Sequence, residues 1–196
     1  MTPTKSQVRA TIVAARRSLS EQQRSAEAAA IARHLGEMVP PGSTICAYVP
    51  MGSEPGSAAA LDALEERGVT VLLPVARADA AGAGQPLQWG RHRPGALVPA
   101  PFGLLEPPPP WSPPEELARA ATVLVPALAV DRRGTRLGRG AGFYDRTLGL
   151  ADPAARLVAV VRDDELVDEL PAEDHDVPMT HALTPGRGLV ALAERE

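Results

Sequence analysis

Apolar positions recur along this chain in two rhythms. Near the start they fall three and four residues apart, at Val8, Ile12 and Ala15 with Leu19 closing the stripe. That is the spacing of one helical face, and it predicts a helix over Lys5–Arg17. Ser20 followed by Gln23 is a capping-box pattern, so a second helix starts there and runs to about residue 36. After the turn Pro40-Pro41-Gly42, the rhythm changes to an unbroken apolar run over residues 44–49, the mark of a buried strand. A helix over 57–67 closed by Gly68 and a second apolar strand over 69–73 follow. Strand, helix and strand of these lengths form a βαβ unit, which implies a parallel sheet.

The remaining pattern extends that sheet. Residues 122–125 before Pro126, then 156–161 and 181–185, read as strands, with a short one at 87–89. Residues 77–86 are rich in Gly and Ala and read as loop. Residues 94–114 hold too many prolines for regular elements and predict an ordered, wrapped loop. A short helix begins after Trp111, with prolines at its start. The expected fold is a single-domain α/β structure: a three-layer, Rossmann-like open sheet, largely parallel, with helices on both faces. Ligands of such sheets sit beyond the C-terminal strand ends, where the loop 50–55 and the loop after Pro126 should meet.

Composition narrows the classes. With 196 residues the chain suits one domain with a real core. Aromatics are only 3%, so that core must be built from Ala, Val and Leu. The net charge of −4 argues against a general binder of nucleic acid or anionic membranes. The single cysteine, Cys46, excludes a disulfide framework and falls in an apolar run. His34, His92, His175 and His181 show no zinc-ligand spacing with it. No apolar run approaches 18 residues, and no secretory leader is visible, so a soluble cytoplasmic protein is expected.

The candidate chemistry gathers between Val125 and Leu148. The turn Asp131-Arg132-Arg133-Gly134 leads into Arg136-Leu137-Gly138-Arg139-Gly140-Ala141-Gly142-Phe143-Tyr144-Asp145. Three alternate glycines let backbone N–H groups approach a ligand, and a helix is expected to start at Phe143. Strand, glycine loop and helix N-terminus together make a phosphate cradle. Arg136 and Arg139 add permanent, forked cations, and Asp145 adds a hard carboxylate of the kind Mg²⁺ prefers. By themselves the glycines fit a plain flexible turn as well. Lys5 and Arg9, one turn apart, fit a solvated basic face. Glu54 alone is an exposed loop acid, and the acidic run 163–176 a solvated surface.

Taken whole, the string Arg136 to Asp145 resembles the signature of the 5-formyltetrahydrofolate cyclo-ligase family, R-L-G-x-G-x-G-[YF]-Y-D, preceded by P-x-x-x-x-D, here Pro126 and Asp131. Four further pieces match in order: K-x-x-x-R on the first helix, Y-x-P-x-x-x-E at Tyr48, Pro50 and Glu54, G-[IL]-x-E-P at Gly103 to Pro107, and [IV]-P-x-x-x-x-D ending at Asp176. The resemblance implies ATP-dependent closure of 5-formyltetrahydrofolate to 5,10-methenyltetrahydrofolate through a phosphorylated formyl group, releasing ADP and phosphate. It implies that Lys5, Arg9 and the stretch Arg136, Leu137, Gly138, Arg139, Gly140, Ala141, Gly142, Phe143 and Tyr144 bind ATP. By the same resemblance Val49 and Glu54, with Arg139 to Phe143, bind the folate, and Asp145 and Asp176 hold Mg²⁺. Arg136, Arg139 and Tyr144 are the residues expected at the chemistry. Phe143 stands where the family often has Tyr, and Ala141 where many relatives have Gly or Lys. The expected partner is 5-formyltetrahydrofolate, with or without extra glutamates, bound by a monomer without nucleic acid or membrane. Two other classes fit parts of the pattern. One is a non-catalytic nucleotide- or folate-binding regulator on the same scaffold. The other is an RNA-binding module using Arg132, Arg133, Arg136, Arg139 and Arg146.

Overall fold

The computed structural model describes residues 4–172 and 176–193. His175, the histidine before Asp176, lies outside the described residues. Both leading helices start where their caps dictate. Thr4 and Gln7 form a capping box that opens α1 (Lys5–Arg17), and Ser20 with Gln23 does the same for α2 (Glu21–Met38). The second helix runs past Gly36 because Arg67 Nη1 donates to the Gly36 carbonyl at 2.6 Å, satisfying a group that a helix end would leave bare. Ser57 caps α3 (Ala58–Glu66), and Gly68, at φ 81°, takes the left-handed turn that ends it.

Seven strands form the main sheet. They are β1 (Thr44–Cys46), β2 (Thr70–Val75), β3 (Gln88–Arg91), β6 (Thr122–Pro126), β9 (Arg156–Val160), β11 (His181–Thr184) and β12 (Gly188–Ala191), in the order β12-β11-β9-β6-β1-β2-β3. The five inner strands are parallel, while β3 and β12 close the two edges antiparallel. The chain grows outward from β1 in both directions, so the strand order reverses between β1 and β6.

Period-two alternation divides the core between the faces. Ile45, Val71, Val158 and Leu124 point to one side, where Ile31, Leu35, Leu61 and Leu64 of α2 and α3 cover them. Their neighbours Cys46, Leu72, Leu157 and Val123 point to the other, under Leu117, Leu148, Trp89 and Met179. Each such Leu or Val side chain contributes about 1.5–3 kcal/mol on burial. The helical layer on this second side consists of 3₁₀ turns, Pro114–Arg119 and Leu148–Leu150. Cys46, fully buried, lies in the middle of the sheet.

A three-stranded sheet sits to one side, with β7 (Ala129–Asp131) between β8 (Arg136–Leu137) and β10 (Leu166–Val167). Val8, Ile12 and Val13 of α1 pack on its Leu128, Ala129, Leu137 and Leu170. The buried Asp131 carboxylate fastens it, accepting from the backbone N–H groups of Arg133, Thr135 and Leu170. Arg16, the buried end of α1, forks onto both Glu165 oxygens at 2.7 Å and onto the Ala127 carbonyl. Against the expectation of an ordered loop without regular elements, β4 (Val98–Pro99) and β5 (Leu105–Glu106) pair in the proline-rich segment as a small antiparallel hairpin.

A second expectation is corrected here. No α-helix starts at Phe143: residues 143–147 form turns that end in the 3₁₀ turn at Leu148–Leu150. The segment is bounded by Gly142 in the left-handed region, at φ 72°, and by Gly149 and Pro153. That leaves too few residues to repay the cost of nucleating a helix. Thr147 fixes the turn instead, donating to the Phe143 carbonyl and accepting from Leu87 N–H.

Candidate functional site

The strand ends of β1 and β6 open into a cavity of about 400 Å³ at the point where the strand order reverses. Tyr48, Val49, Met51 and Glu54 line it from the β1 side, and Pro126, Ala127 and Leu128 from the β6 side. The glycine loop forms a third wall, from Gly138 to Asp145 with Arg136 beneath it. Phe102, Leu104 and Leu105, from the hairpin region, face them across the mouth. Open parallel sheets bind ligands at such switch points because two loops diverge there and leave a crevice.

The glycines serve close approach. A Cβ on Gly138 would meet the Arg136 guanidinium at 2.5 Å, and Gly142 needs its left-handed φ to turn the loop back toward Tyr144. Arg9 Nε donates to the Gly138 carbonyl at 2.9 Å, so α1 holds the loop from behind. Without a following helix, the loop offers N–H groups and guanidiniums to an anion but no helix dipole.

Three ion pairs cross the site. Arg136 pairs with Asp145, Arg139 with Glu54 at 3.1 Å, and Lys5 with Asp176 at 3.5 Å. Every pair joins a cation assigned to phosphate with a carboxylate assigned to metal or folate. Glu54 is held further by accepting from Met51 N–H at 2.9 Å, which fixes its loop against the cavity. Tyr48 shapes the same loop, donating its hydroxyl to the Pro55 carbonyl. The Tyr144 hydroxyl is buried in the cavity wall and has no hydrogen-bond partner among the described residues. Burial, with Glu54 nearby, pushes its pKa well up, so it stays a protonated donor. The Arg136 guanidinium lies 5.7 Å from the centre of its ring.

Most of the sequence-derived site therefore converges. Val49, Glu54, Arg136, Gly138, Arg139, Gly140, Ala141, Gly142, Phe143, Tyr144 and Asp145 share one cavity. Lys5, Arg9 and Asp176 are not part of its wall but reach the region through the contacts above. Leu137 turns its side chain into the core under α1, so only its backbone is left for a ligand. Sequence reasoning missed Phe102. It is 60% exposed, has a left-handed φ of 63° and rests 5.6 Å from the Phe143 ring centre. An aromatic among prolines was the one signal available. Glu106, the acid of the Gly103 to Pro107 motif, is structural: its buried carboxylate accepts from Ala76 N–H and pairs with Arg77.

Fold and site define an α/β protein with a cavity at the switch point of an open sheet, lined by guanidiniums, a glycine loop and carboxylates. Over residues 1–185 the chain matches the 5-formyltetrahydrofolate cyclo-ligase family, and it belongs to that family. A 5-formyltetrahydrofolate cyclo-ligase of Mycolicibacterium smegmatis is 63% identical over 188 residues, covering 96% of this chain and 97% of its own. The enzyme of the same name from Escherichia coli K12 is 39% identical over 72 residues, 36% of this chain and 40% of its own. Among solved structures, the 5,10-methenyltetrahydrofolate synthetase of Aquifex aeolicus superposes with a TM-score of 0.76 at 25% identity, covering 98% of this chain and 94% of that one. Among the described residues, no helix is long and apolar enough to cross a membrane.

Proposed function

We propose that the protein closes 5-formyltetrahydrofolate to 5,10-methenyltetrahydrofolate at this cavity, using ATP. The observation that carries the reading is the single cavity shared by the glycine loop with its arginines and the Glu54 loop. That arrangement brings a phosphate cradle and a folate-binding acid within reach of each other. A formyl oxygen on nitrogen is a poor leaving group. Transfer of the terminal phosphoryl group to it breaks the bond to ADP and forms a carbon–oxygen–phosphate linkage. N10 then attacks the formyl carbon and loses its proton, and the oxygen departs with phosphate. Such transfers depend on positioning and on neutralising charge. Arg136 and Arg139 supply the neutralising cations, with Lys5 and Arg9 supporting. The Tyr144 hydroxyl supplies an unspent donor inside the wall, and the Phe143 and Phe102 rings offer flat surface to the pterin.

Mg²⁺ fits the donors available. It is commonly held by one or two carboxylates together with substrate phosphates, and it keeps several waters. Asp145 and Asp176 are hard oxygen ligands of that kind, each now occupied by a cation that phosphate would draw away. An ion held by Asp145 and Asp176 would supply charge that offsets the phosphates. The test is direct: purified protein with Mg-ATP and 5-formyltetrahydrofolate is followed by methenyl absorbance and ADP release. Equal yields of the two are expected. Nucleotide binding without methenyl formation would overturn the reading in favour of a regulator.

A further inference from the structure

Three cations of α1 reach into the rest of the molecule. Lys5 meets Asp176 and Arg9 donates to the Gly138 carbonyl, both beside the cavity, while Arg16 lies at the opposite end of the helix. Arg9 and Arg16 are two turns apart on one face, about 10 Å at helical rise. Arg16 is 1% exposed. Its Nε and Nη2 each donate to one Glu165 oxygen, and Nη2 donates also to the Ala127 carbonyl, all at 2.7 Å. Glu165 in turn accepts from Arg162 N–H at 2.8 Å, just beyond β9, which ties the pair to the main sheet. Ala127 follows β6 directly and lines the cavity. The carbonyl before it, on Pro126, accepts from Arg136. Two consecutive carbonyls of the cavity wall are thus held by two arginines, Arg136 from the cavity lining and Arg16 from α1.

A buried ion pair is a poor source of stability, because desolvating both charges cancels most of their attraction. What this one supplies is direction. The seat of α1 is otherwise Val8, Ile12 and Val13 on Leu128, Ala129, Leu137 and Leu170, an apolar contact that attracts without fixing an angle. A planar fork with three bonds at 2.7 Å fixes both the height of the helix and its rotation. Lys5 and Arg9 border the cavity and can be drawn toward a bound anion. Arg16 is covered and stays where it is.

We infer that Arg16 is a positioning residue: locked to Glu165 and Ala127, it sets the height and rotation of α1 at which Arg9 holds the glycine loop for the nucleotide. The inference rests on the proposed function for its ligand. Arg16→Ala alone would leave Glu165 charged and buried without its partner, so the test neutralises both. Arg16→Met/Glu165→Gln removes the two charges, keeps the bulk and leaves an amide oxygen for Arg162 N–H. Dissociation constants for Mg-ATP and for 5-formyltetrahydrofolate are measured by titration calorimetry, with thermal melting alongside. The Mg-ATP constant should rise about fivefold, part of one charge-assisted contact, with the folate constant and the melting temperature near wild type. Arg9→Ala supplies a second readout. Because Arg16 acts through Arg9, adding the double substitution to Arg9→Ala should weaken Mg-ATP binding by less than about twofold further. Arg16→Lys, which keeps the charge but not the fork, should raise the Mg-ATP constant by about twofold. An unchanged Mg-ATP constant in a folded double variant overturns the inference. So does equal weakening of both ligands together with the melting temperature, the mark of a general structural role, and so does full addition to Arg9→Ala. Should the double variant not fold, an Arg16→Lys protein that binds Mg-ATP as the wild type does overturns it. A wild-type protein that binds both ligands but forms no methenyl product would strike the proposed function itself, a separate outcome from any of these.

Discussion

Arg136 ties three parts of the site together. One guanidinium nitrogen pairs with Asp145, another donates to the Pro126 carbonyl at 3.3 Å, and the plane lies over Tyr144. Replacing it with Ala removes one charge-assisted phosphate contact, worth roughly 1.5–3 kcal/mol. The apparent Michaelis constant for ATP should rise at least about tenfold. Asp145 is a third exposed, so water can solvate it, but Arg136 itself is only 8% exposed and its lost packing should lower the melting temperature modestly. An unchanged constant for ATP would remove Arg136 from the nucleotide site. Glu54 gives the complementary case. Glu54→Gln keeps the shape of the loop but weakens acceptance from pterin donors, which costs about 1–3 kcal/mol when they are left unpaired. The constant for 5-formyltetrahydrofolate should rise by about tenfold, while ATP binding holds because Arg139 is released rather than lost. Parallel loss of both ligands, checked by separate titrations, would mean that Glu54 supports the loop and not the folate.

At the scale of elements, the small sheet β10-β7-β8 places the glycine loop, since β8 leads directly into it. Gly134 makes its turn at φ 82°, and a Cβ there would collide with the Met179 carbonyl. Gly134→Ala should therefore cost more than about 1 kcal/mol by thermal or urea unfolding. A variant as stable as wild type would show that the turn can shift without strain. This sheet was the least legible part of the fold. Its strands are two or three residues long, and they pair across gaps of sequence that no periodicity spans. By contrast α1 could be read to its end residues, because its face repeats and Lys5 follows directly on its cap. The parallel strands were legible too, since burial on both faces demands unbroken apolar runs. The expected helix at Phe143 failed because motif resemblance to a phosphate loop says nothing of the glycine and proline that cut the segment short. Phe102 escaped notice because its significance lies in what faces it across space.

The whole molecule depends on groups that must stay uncharged. The chain has two tyrosines, Tyr48, which is buried, and Tyr144, half-buried with its hydroxyl covered, and burial pushes both phenols up, as it does the Cys46 thiol. When unfolded, these groups ionise near their ordinary values, 9.0 for the thiol and 10.0 for the phenols. The unfolded chain then binds fewer protons than the folded one, so stability is lost as pH rises past about 9. His181 limits the acid side. Burial and then Arg156 depress its pKa below 6.5, so the unfolded chain takes up the extra proton and stability falls as pH drops through that value. Denaturant midpoints should be highest between these limits. Tyrosinate absorbance should appear only with the loss of folded structure. Smooth titration of either tyrosine in the intact fold would contradict the covering of its hydroxyl.

Cys46 turns the middle of the sheet into a clock. It is the chain's one thiol, fully covered, on the strand whose end opens into the ligand cavity. An alkylating reagent cannot reach it until that strand opens, so the labelling rate, read by mass spectrometry, counts openings of the very element that supports the site. Ligands that bind only the closed form slow the count by the factor 1 + [L]/Kd. Mg-ATP and 5-formyltetrahydrofolate should each retard labelling in proportion to their occupancy, and from that the two affinities can be obtained without a single turnover. Labelling that proceeds at the free reagent's rate would show that the strand is not closed in solution.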